Sequence, residues 1–481
     1  MTLRQTIIPV ILFGLLACEL AVLAILALYP YASDPGLAAL NIGIFTLLAP
    51  LSTVALLGLL YAWIARFGTR EARSRSHRFD SFILFLAEPF RETISRIRHM
   101  SLSDSVGNLK ILSHPRLLLA TSIFVSILLV LIPYRSDLNP TGTLVGIDSP
   151  TYVGWINQML ARPPLQAIQY SFVEGLDGSR PLLLLLLYLT AVAGASPSQI
   201  IEYLPTILAP LLSLSTYVFV RYGQGSARLA GLTSLFTSIS FYTTVGLWGG
   251  YYANWLGLVL AFLFMTALLI FSKTPSRLNY CGIYFLSIAL FLTHPWTWAL
   301  VATVSLAFAI SVWRETRNLI HLKSIVAILL TATALDFVKS WVFATRTVAA
   351  DLATKSPSSL GSLLGFWNNL VQALLYTHGG LLGNWLILGL GLLAAAALRF
   401  NDWFERLLIL WTVAASIPFA ILDSYHQARI VYDLPIPILM SVAVLFFLPT
   451  IGARNLRWPG LIIAVLLVTI TDYTLQGILL L

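Results

Sequence analysis

The sequence predicts an all-α polytopic integral membrane protein with about 13 transmembrane helices. Three observations lead there. The 481-residue chain is 58% hydrophobic and only 10% charged, with mean hydropathy +0.85, whereas a soluble domain carries about a quarter charged residues to face water. Apolar runs of 16 to 22 residues recur along it, the length that crosses a hydrocarbon core of about 30 Å. Within that core backbone amides must be satisfied inside each segment, so the runs are helices, and the alternating strands of about 10 residues that build a membrane barrel are not seen. The third observation is where the charge sits. The formal net charge is +9, yet ten of the 29 Lys and Arg fall between Arg66 and Arg116, and most others lie in short loops at alternate span ends. That pattern reports topology, and no nucleic-acid partner is expected. Cys18 and Cys281 both lie in apolar spans, which argues against a disulfide framework.

Taken in order, the first run, 7–28, is long for a signal peptide and has only Arg4 before it, so it reads as a retained span. Glu19 inside it is either functional, because mid-membrane carboxylates are costly, or protonated and paired within its helix. With Arg4 cytoplasmic, 7–28 and 37–64 form an N-terminal two-helix addition, residues 1–64. The connector 65–116 is then cytoplasmic and basic, and its stretch 81–100 reads as an amphipathic surface helix with Arg91, Arg96 and Arg98 near lipid headgroups. The core, 117–481, begins with span 117–133 and a long external loop, 134–198. Further spans follow at about 199–220, 229–246, 255–272, 279–293, 296–313, 324–343, 381–398, 407–422, 430–448 and 460–479. This layout puts Arg221/Arg228, Lys273/Arg277, Arg314/Arg317/Lys323, Arg399/Arg406 and Arg454/Arg457 on the same side as Arg4. A miscount of one span would invert every later loop. The apolar stretch 181–194 is too short to cross and reads as a helix on the outer face. A second surface helix is expected at 363–378, where Leu363, Phe366, Trp367, Leu370, Val371, Leu374 and Leu375 form one stripe opposite Asn368, Asn369 and Gln372. The cell location expected is a prokaryotic plasma membrane with the N-terminus cytoplasmic.

The loop 134–198 is where chemistry is expected. It carries Asp137, Asp148, Glu174, Asp177, Arg135, Arg162 and Arg180. Asp148, just before Ser149-Pro150, either caps a helix or, at the outer interface, takes a proton from an acceptor hydroxyl. Arg180, before Pro181-Leu182, either holds an anionic headgroup or diphosphate by paired hydrogen bonds or snorkels to lipid phosphate. Thr293-His294-Pro-Trp-Thr-Trp298 puts a histidine at a tight external turn between interface tryptophans, as ligand or as satisfied structural imidazole. Asp336 and Lys339, one turn apart, read as an ion pair. The last external turn, Asp423 through His426 and Arg429 to Asp433-Leu-Pro435, is a second polar cluster.

This order of features resembles the GT-C glycosyltransferase superfamily, and most closely an oligosaccharyltransferase or protein mannosyltransferase-like core, over about 117 to 450. Asp148-Ser-Pro-Thr-Tyr152 is similar to that family's first-loop acid, Gly249-Gly-Tyr-Tyr252-Ala-Asn254-Trp255 to its second external loop, and Arg180-Pro181-Leu182 to a basic start found in mannosyltransferase relatives. The resemblance implies sugar transfer, with inversion, from a polyprenyl-phosphate-linked donor to an unidentified glycan or protein acceptor at the outer face. It implies Asp148 as the catalytic carboxylate that activates the acceptor. Arg180, Arg429, His426 and His294 would hold the lipid phosphate, with support from Asp177, Glu174, Tyr252 and Asn254. Where oligosaccharyltransferases carry a second acidic motif for metal, this chain has Tyr252-Ala-Asn254 and no carboxylate. A divalent-metal site, which needs several carboxylate oxygens, is therefore not favoured, and no cofactor is expected. Two other readings stand beside the transferase: a lipid or solute transporter, against which no internal duplication is seen, and a non-catalytic scaffold on the same fold.

Overall fold

The computed structural model describes residues 114–136, 138–173, 180–347, 350, 391, 394–395, 398–416 and 432–452, with 467, 470–471, 474 and 478. The N-terminal spans, nearly all of the 65–116 connector, Asp137, Glu174, Asp177, the surface helix 363–378, and Asp423, His426 and Arg429 lie outside the described residues.

Every element among the described residues is helical. Helix α1 (Pro115–Leu131) ends in a 3-10 turn, Ile132–Tyr134. The loop expected at 134–198 then carries α2 (Ser149–Leu160), α3 (Pro164–Val173) and α4 (Pro181–Val192). The bundle continues with α5 (Pro197–Gln224), α6 (Ala227–Ser238), α7 (Phe241–Gly249), α8 (Tyr252–Lys273), α9 (Arg277–Thr293), α10 (Pro295–Thr316) and α11 (Ile320–Phe343). Last come α12 (Trp403–Ser416) and α13 (Ile436–Gly452). Prolines open many of these helices, where the missing N–H has no intrahelical acceptor to lose; Pro115, Pro150, Pro181, Pro197 and Pro295 stand in first turns. Among the described residues five helices are long and apolar enough to cross a membrane: α1 with its 3-10 turn, α5, α8, α10 and α11. Helix α4 stops at 12 residues, as a helix confined to one face should.

One expected span differs. The run 229–246 is not a single helix but α6 followed by α7. The break falls in Ser238-Ile-Ser240, where hydroxyls compete for backbone groups. Ser240 Oγ donates to Thr237 O at 2.9 Å and accepts from the Tyr242 N–H at 3.3 Å, and Thr243 Oγ1 donates to Ser238 O at 2.7 Å.

Small hydroxyl side chains join helices inside the bundle, as they do where lipid tails offer no hydrophobic drive. Ser122 Oγ donates to Ser234 O at 2.6 Å between α1 and α6, and Thr237 Oγ1 donates to Thr216 Oγ1 at 3.1 Å between α6 and α5. Aromatic rings fill the centre: Trp411 of α12 lies 5.2 Å from Phe262 of α8 and 6.3 Å from Phe219 of α5.

The two ends of the bundle differ in chemistry. At one, Lys273 Nζ donates to Gly223 O at 3.4 Å, His321 lies 5.6 Å from Phe271, and Arg406 pairs with Glu315 at 2.6 Å. These contacts gather the ends of α5, α8 and α10 with the starts of α11 and α12, and with them the basic pairs and triplets of the sequence. The other end carries α2, α3 and α4 and the turns at Gly250, His294 and Asp433. Helix α3 lies against α11 there, Phe172 stacking on Phe343 with centroids 5.0 Å apart. Asp336 and Lys339 are an ion pair at 3.6 Å, both buried, with Lys339 Nζ 5.5 Å above the Phe291 ring.

Candidate functional site

Asp148 occupies the position before α2, with φ −84° and ψ −7°, and its side chain takes no capping hydrogen bond. The carboxylate is half-buried. What fixes the residue is its backbone: the Ile147 N–H donates to Trp248 O at 3.0 Å and the Asp148 N–H to Gly249 O at 3.1 Å. The segment leading into α2 is thus tied, strand-fashion, to the turn between α7 and α8. Such close approach needs glycine on both sides. Gly146 (φ +102°) and Gly250 (φ +64°) adopt backbone conformations that other residues rarely tolerate. A Cβ at Gly146 would meet Leu247 O at 2.7 Å, and one at Gly250 would meet the Asp148 N at 3.1 Å.

Side chains extend the tie. Ser149 Oγ donates to Val145 O at 2.5 Å and lies 2.7 Å from the Tyr252 hydroxyl. Tyr152, one turn into α2 and fully buried, packs 5.3 Å from Tyr252 and edge-on to Trp155 at 5.1 Å. Arg180, at the start of α4, donates from Nη1 to the Tyr152 hydroxyl at 2.5 Å. Burial pushes the Tyr152 hydroxyl above its usual pKa, an effect Arg180 opposes. The guanidinium is only 4% exposed, yet it makes no ion pair and its Nε has no acceptor among the described residues. A buried cation without a carboxylate is costly, so this is where an anion would be stabilised.

A second polar knot joins α8, α10 and the turn before α13. His294 is buried and caps α10, its Nδ1 accepting from the Thr297 N–H at 3.3 Å. Thr297 Oγ1 stands 2.9 Å from Asn254 Oδ1 and 2.7 Å from Asp433 Oδ2. Thr297 Oγ1 also stands 2.7 Å from His294 Nδ1. One hydroxyl hydrogen cannot serve all these partners; burial raises the Asp433 pKa to about 8, which favours a proton on its carboxyl facing Thr297. Asn254 Nδ2 and Asp433 Oδ1 are buried without a partner among the described residues. Tyr432 connects this knot to the first, its ring 5.9 Å from Tyr251 and its hydroxyl donating to Tyr242 O at 2.6 Å.

Of the residues singled out from sequence, Asp148, Arg180 and Tyr252 therefore stand in one network, and Asn254 and His294 in the adjoining one. Arg429, His426, Glu174 and Asp177 lie outside the described residues. Sequence reading missed the joining roles of Ser149, Thr297 and Asp433. The two loops had been read as separate motifs, and nothing in one sequence announces a contact between positions 148 and 249. The second of the two loops is where the family resemblance would place a divalent metal. Asn254 Oδ1 already faces the Thr297 hydroxyl, and among the described residues no three His, Cys, Asp or Glu side chains come together, whereas hard cations take six or more oxygens.

Comparison with known proteins adds a likeness of fold. No family model matches the chain, and no curated protein does. Two solved structures are similar to it. The oligosaccharyltransferase of Archaeoglobus fulgidus in the apo form has TM-score 0.49 and 15% identity, covering 76% of this chain and 55% of that one. The archaeal oligosaccharyltransferase AglB from Archaeoglobus fulgidus, in complex with an inhibitory peptide and a dolichol-phosphate, has TM-score 0.47 and 14% identity with the same coverage. The chain thus spans about half the length of the solved chains it matches.

Proposed function

We propose that this chain is a GT-C-type membrane glycosyltransferase, moving a sugar with inversion from a polyprenyl-phosphate-linked donor to an acceptor at the face that carries α2 to α4. The observation that carries the reading is the juxtaposition at Asp148. A carboxylate left free of capping duty stands on a frame tied by backbone hydrogen bonds. One turn into α2, Tyr152 holds the buried Arg180 guanidinium, which has no anionic partner among the described residues. In this mechanism Asp148 accepts the acceptor's hydroxyl proton as the sugar carbon is attacked. Phosphate leaves, its growing negative charge stabilised by Arg180 and by Arg429 from the late external turn. His426 would assist there. Tyr252 and Ser149 hold the acid in place. No step calls for a metal, because the cationic groups serve the leaving phosphate.

The test is transfer by the purified full chain given a pool of polyprenyl-phosphate sugars, with release of the polyprenyl phosphate as the readout. Asp148→Asn should abolish release while the protein still elutes as a monodisperse species. Release at the wild-type rate by that variant would turn the reading toward a non-catalytic scaffold.

A further inference from the structure

The end of the bundle opposite Asp148 contains a cavity of about 440 Å³ that the proposed transfer does not use. Its wall is ordered along α10. Partly buried Ala307, Ile310 and Ser311 are followed along the helix by exposed Arg314 and Glu315, and Phe400 and Arg406 complete the lining. From Ala307 to Arg314 an α-helix rises about 10 Å, enough to pass from hydrocarbon to headgroup depth.

The charges in the lining can be accounted for one by one. Arg406 is buried and fully engaged: Nε donates to Phe400 O at 2.6 Å, Nη1 to Ser311 Oγ at 3.4 Å, and Nη2 to Glu315 Oε2 at 2.6 Å. Arg406 and Glu315 therefore neutralise each other. Arg314 does not share in this. It is exposed and makes no hydrogen bond or ion pair among the described residues. Among the described lining residues, what remains is the Arg314 guanidinium beside an apolar wall. A soluble anion would find no use for the Ala307–Ile310 wall, and an uncharged lipid none for Arg314. A molecule with a phosphate at one end and methylenes at the other satisfies both.

We infer that this cavity binds one membrane phospholipid, its phosphate on Arg314 and the first methylenes of a chain against Ala307 and Ile310. The site is independent of the transferase reading, since it shares no residue with it.

Native mass spectrometry of the delipidated full chain tests this, with phosphatidylethanolamine and diacylglycerol of the same acyl chains offered in equal amounts. The expected result is a single retained phospholipid, with diacylglycerol retained about fivefold less, the ratio that one exposed charge-assisted contact supplies. Arg314→Gln should lower phospholipid occupancy by a similar factor. Ala307→Trp, which crowds the apolar wall and leaves Arg314 alone, should also empty the cavity. Arg277→Gln, at the same end but outside the cavity, should change nothing. Arg314 is exposed, so its variant folds and decides the matter if the tryptophan variant does not. Equal uptake of diacylglycerol, or undiminished phospholipid on the Arg314 variant, would overturn the proposal. Displacement of the lipid by millimolar glycerol 3-phosphate would also overturn it, because the site would then read a free phosphate ester.

Discussion

The Asp148 N–H donates to the Gly249 carbonyl at 3.1 Å, joining residues 101 positions apart and setting the candidate acid by backbone rather than by side chain. Fixing a reacting group through its main chain leaves the carboxylate free and narrows its positional freedom, the condition under which proximity lowers a barrier.

Gly250 and Gly142 have nearly the same φ, +64° and +63°, but different surroundings. Around Gly142 nothing lies within 4 Å of a built Cβ, whereas at Gly250 the Asp148 N and Ser149 N are each 3.1 Å away. Alanine at Gly142 should therefore cost only the left-handed strain, about 1 kcal/mol. Alanine at Gly250 should cost more and should lower transfer as well, by pushing Asp148 off its ledge. Thermal melts and turnover of the two variants, side by side, check this; equal effects would mean the loop contact is slack.

Tyr152→Phe removes the only hydrogen-bond acceptor found for Arg180 among the described residues. A buried cation left with no acceptor is destabilised by about 1–3 kcal/mol, so the melting temperature should fall by several degrees. Added inorganic diphosphate should restore part of that loss in the variant, and more than in wild type, if Arg180 faces an anion site. No recovery would mean that Arg180 serves only the packing of α2 on α4.

At the second knot the identity of the hydrogen matters more than charge. Asp433→Asn supplies an amide N–H where the carboxyl proton stands against Thr297, so the variant should fold and melt close to wild type. Asp433→Ala leaves Thr297 short of one buried partner, worth about 1–3 kcal/mol. If asparagine is as damaging as alanine, the carboxyl works as a charge and the proton count given for Thr297 is wrong.

Much of the fold was legible because the bilayer makes apolar length and basic loop ends informative. The boundaries expected for spans 255–272 and 296–313 fall within α8 (Tyr252–Lys273) and α10 (Pro295–Thr316), and the short helix after Arg180 is indeed short. The break of 229–246 was not legible, because hydropathy counts serine and threonine as mild residues and ignores that their hydroxyls take backbone partners. At the site, Asp148 and Arg180 could be picked out as costly charges beside helix starts. Their relation could not, since it runs through Tyr152, a buried tyrosine like many others in the chain. Asp433 was visible only as one more polar residue in a late turn; its partner Thr297 lies 136 residues earlier.

The last prediction concerns metal. The turn into α8 offers Tyr252-Ala-Asn254 where the resemblance read from the sequence would place acids, and an amide oxygen is a weak ligand for a hard cation unless carboxylates surround it. Here the Asn254 oxygen already receives the Thr297 hydroxyl at 2.9 Å, so recruiting it to an ion would break a buried hydrogen bond. Positive charge for the leaving phosphate would come instead from arginine, which is charged at every working pH. Transfer should therefore persist in excess EDTA, with no gain on adding manganese or magnesium, while Arg180→Gln should reduce turnover by about a hundredfold, the scale seen when one transition-state donor is removed. The pair of measurements separates the alternatives. Activity lost in chelator and restored by a divalent ion, with Arg180→Gln near wild type, would mean that an ion rather than the guanidinium carries the leaving charge.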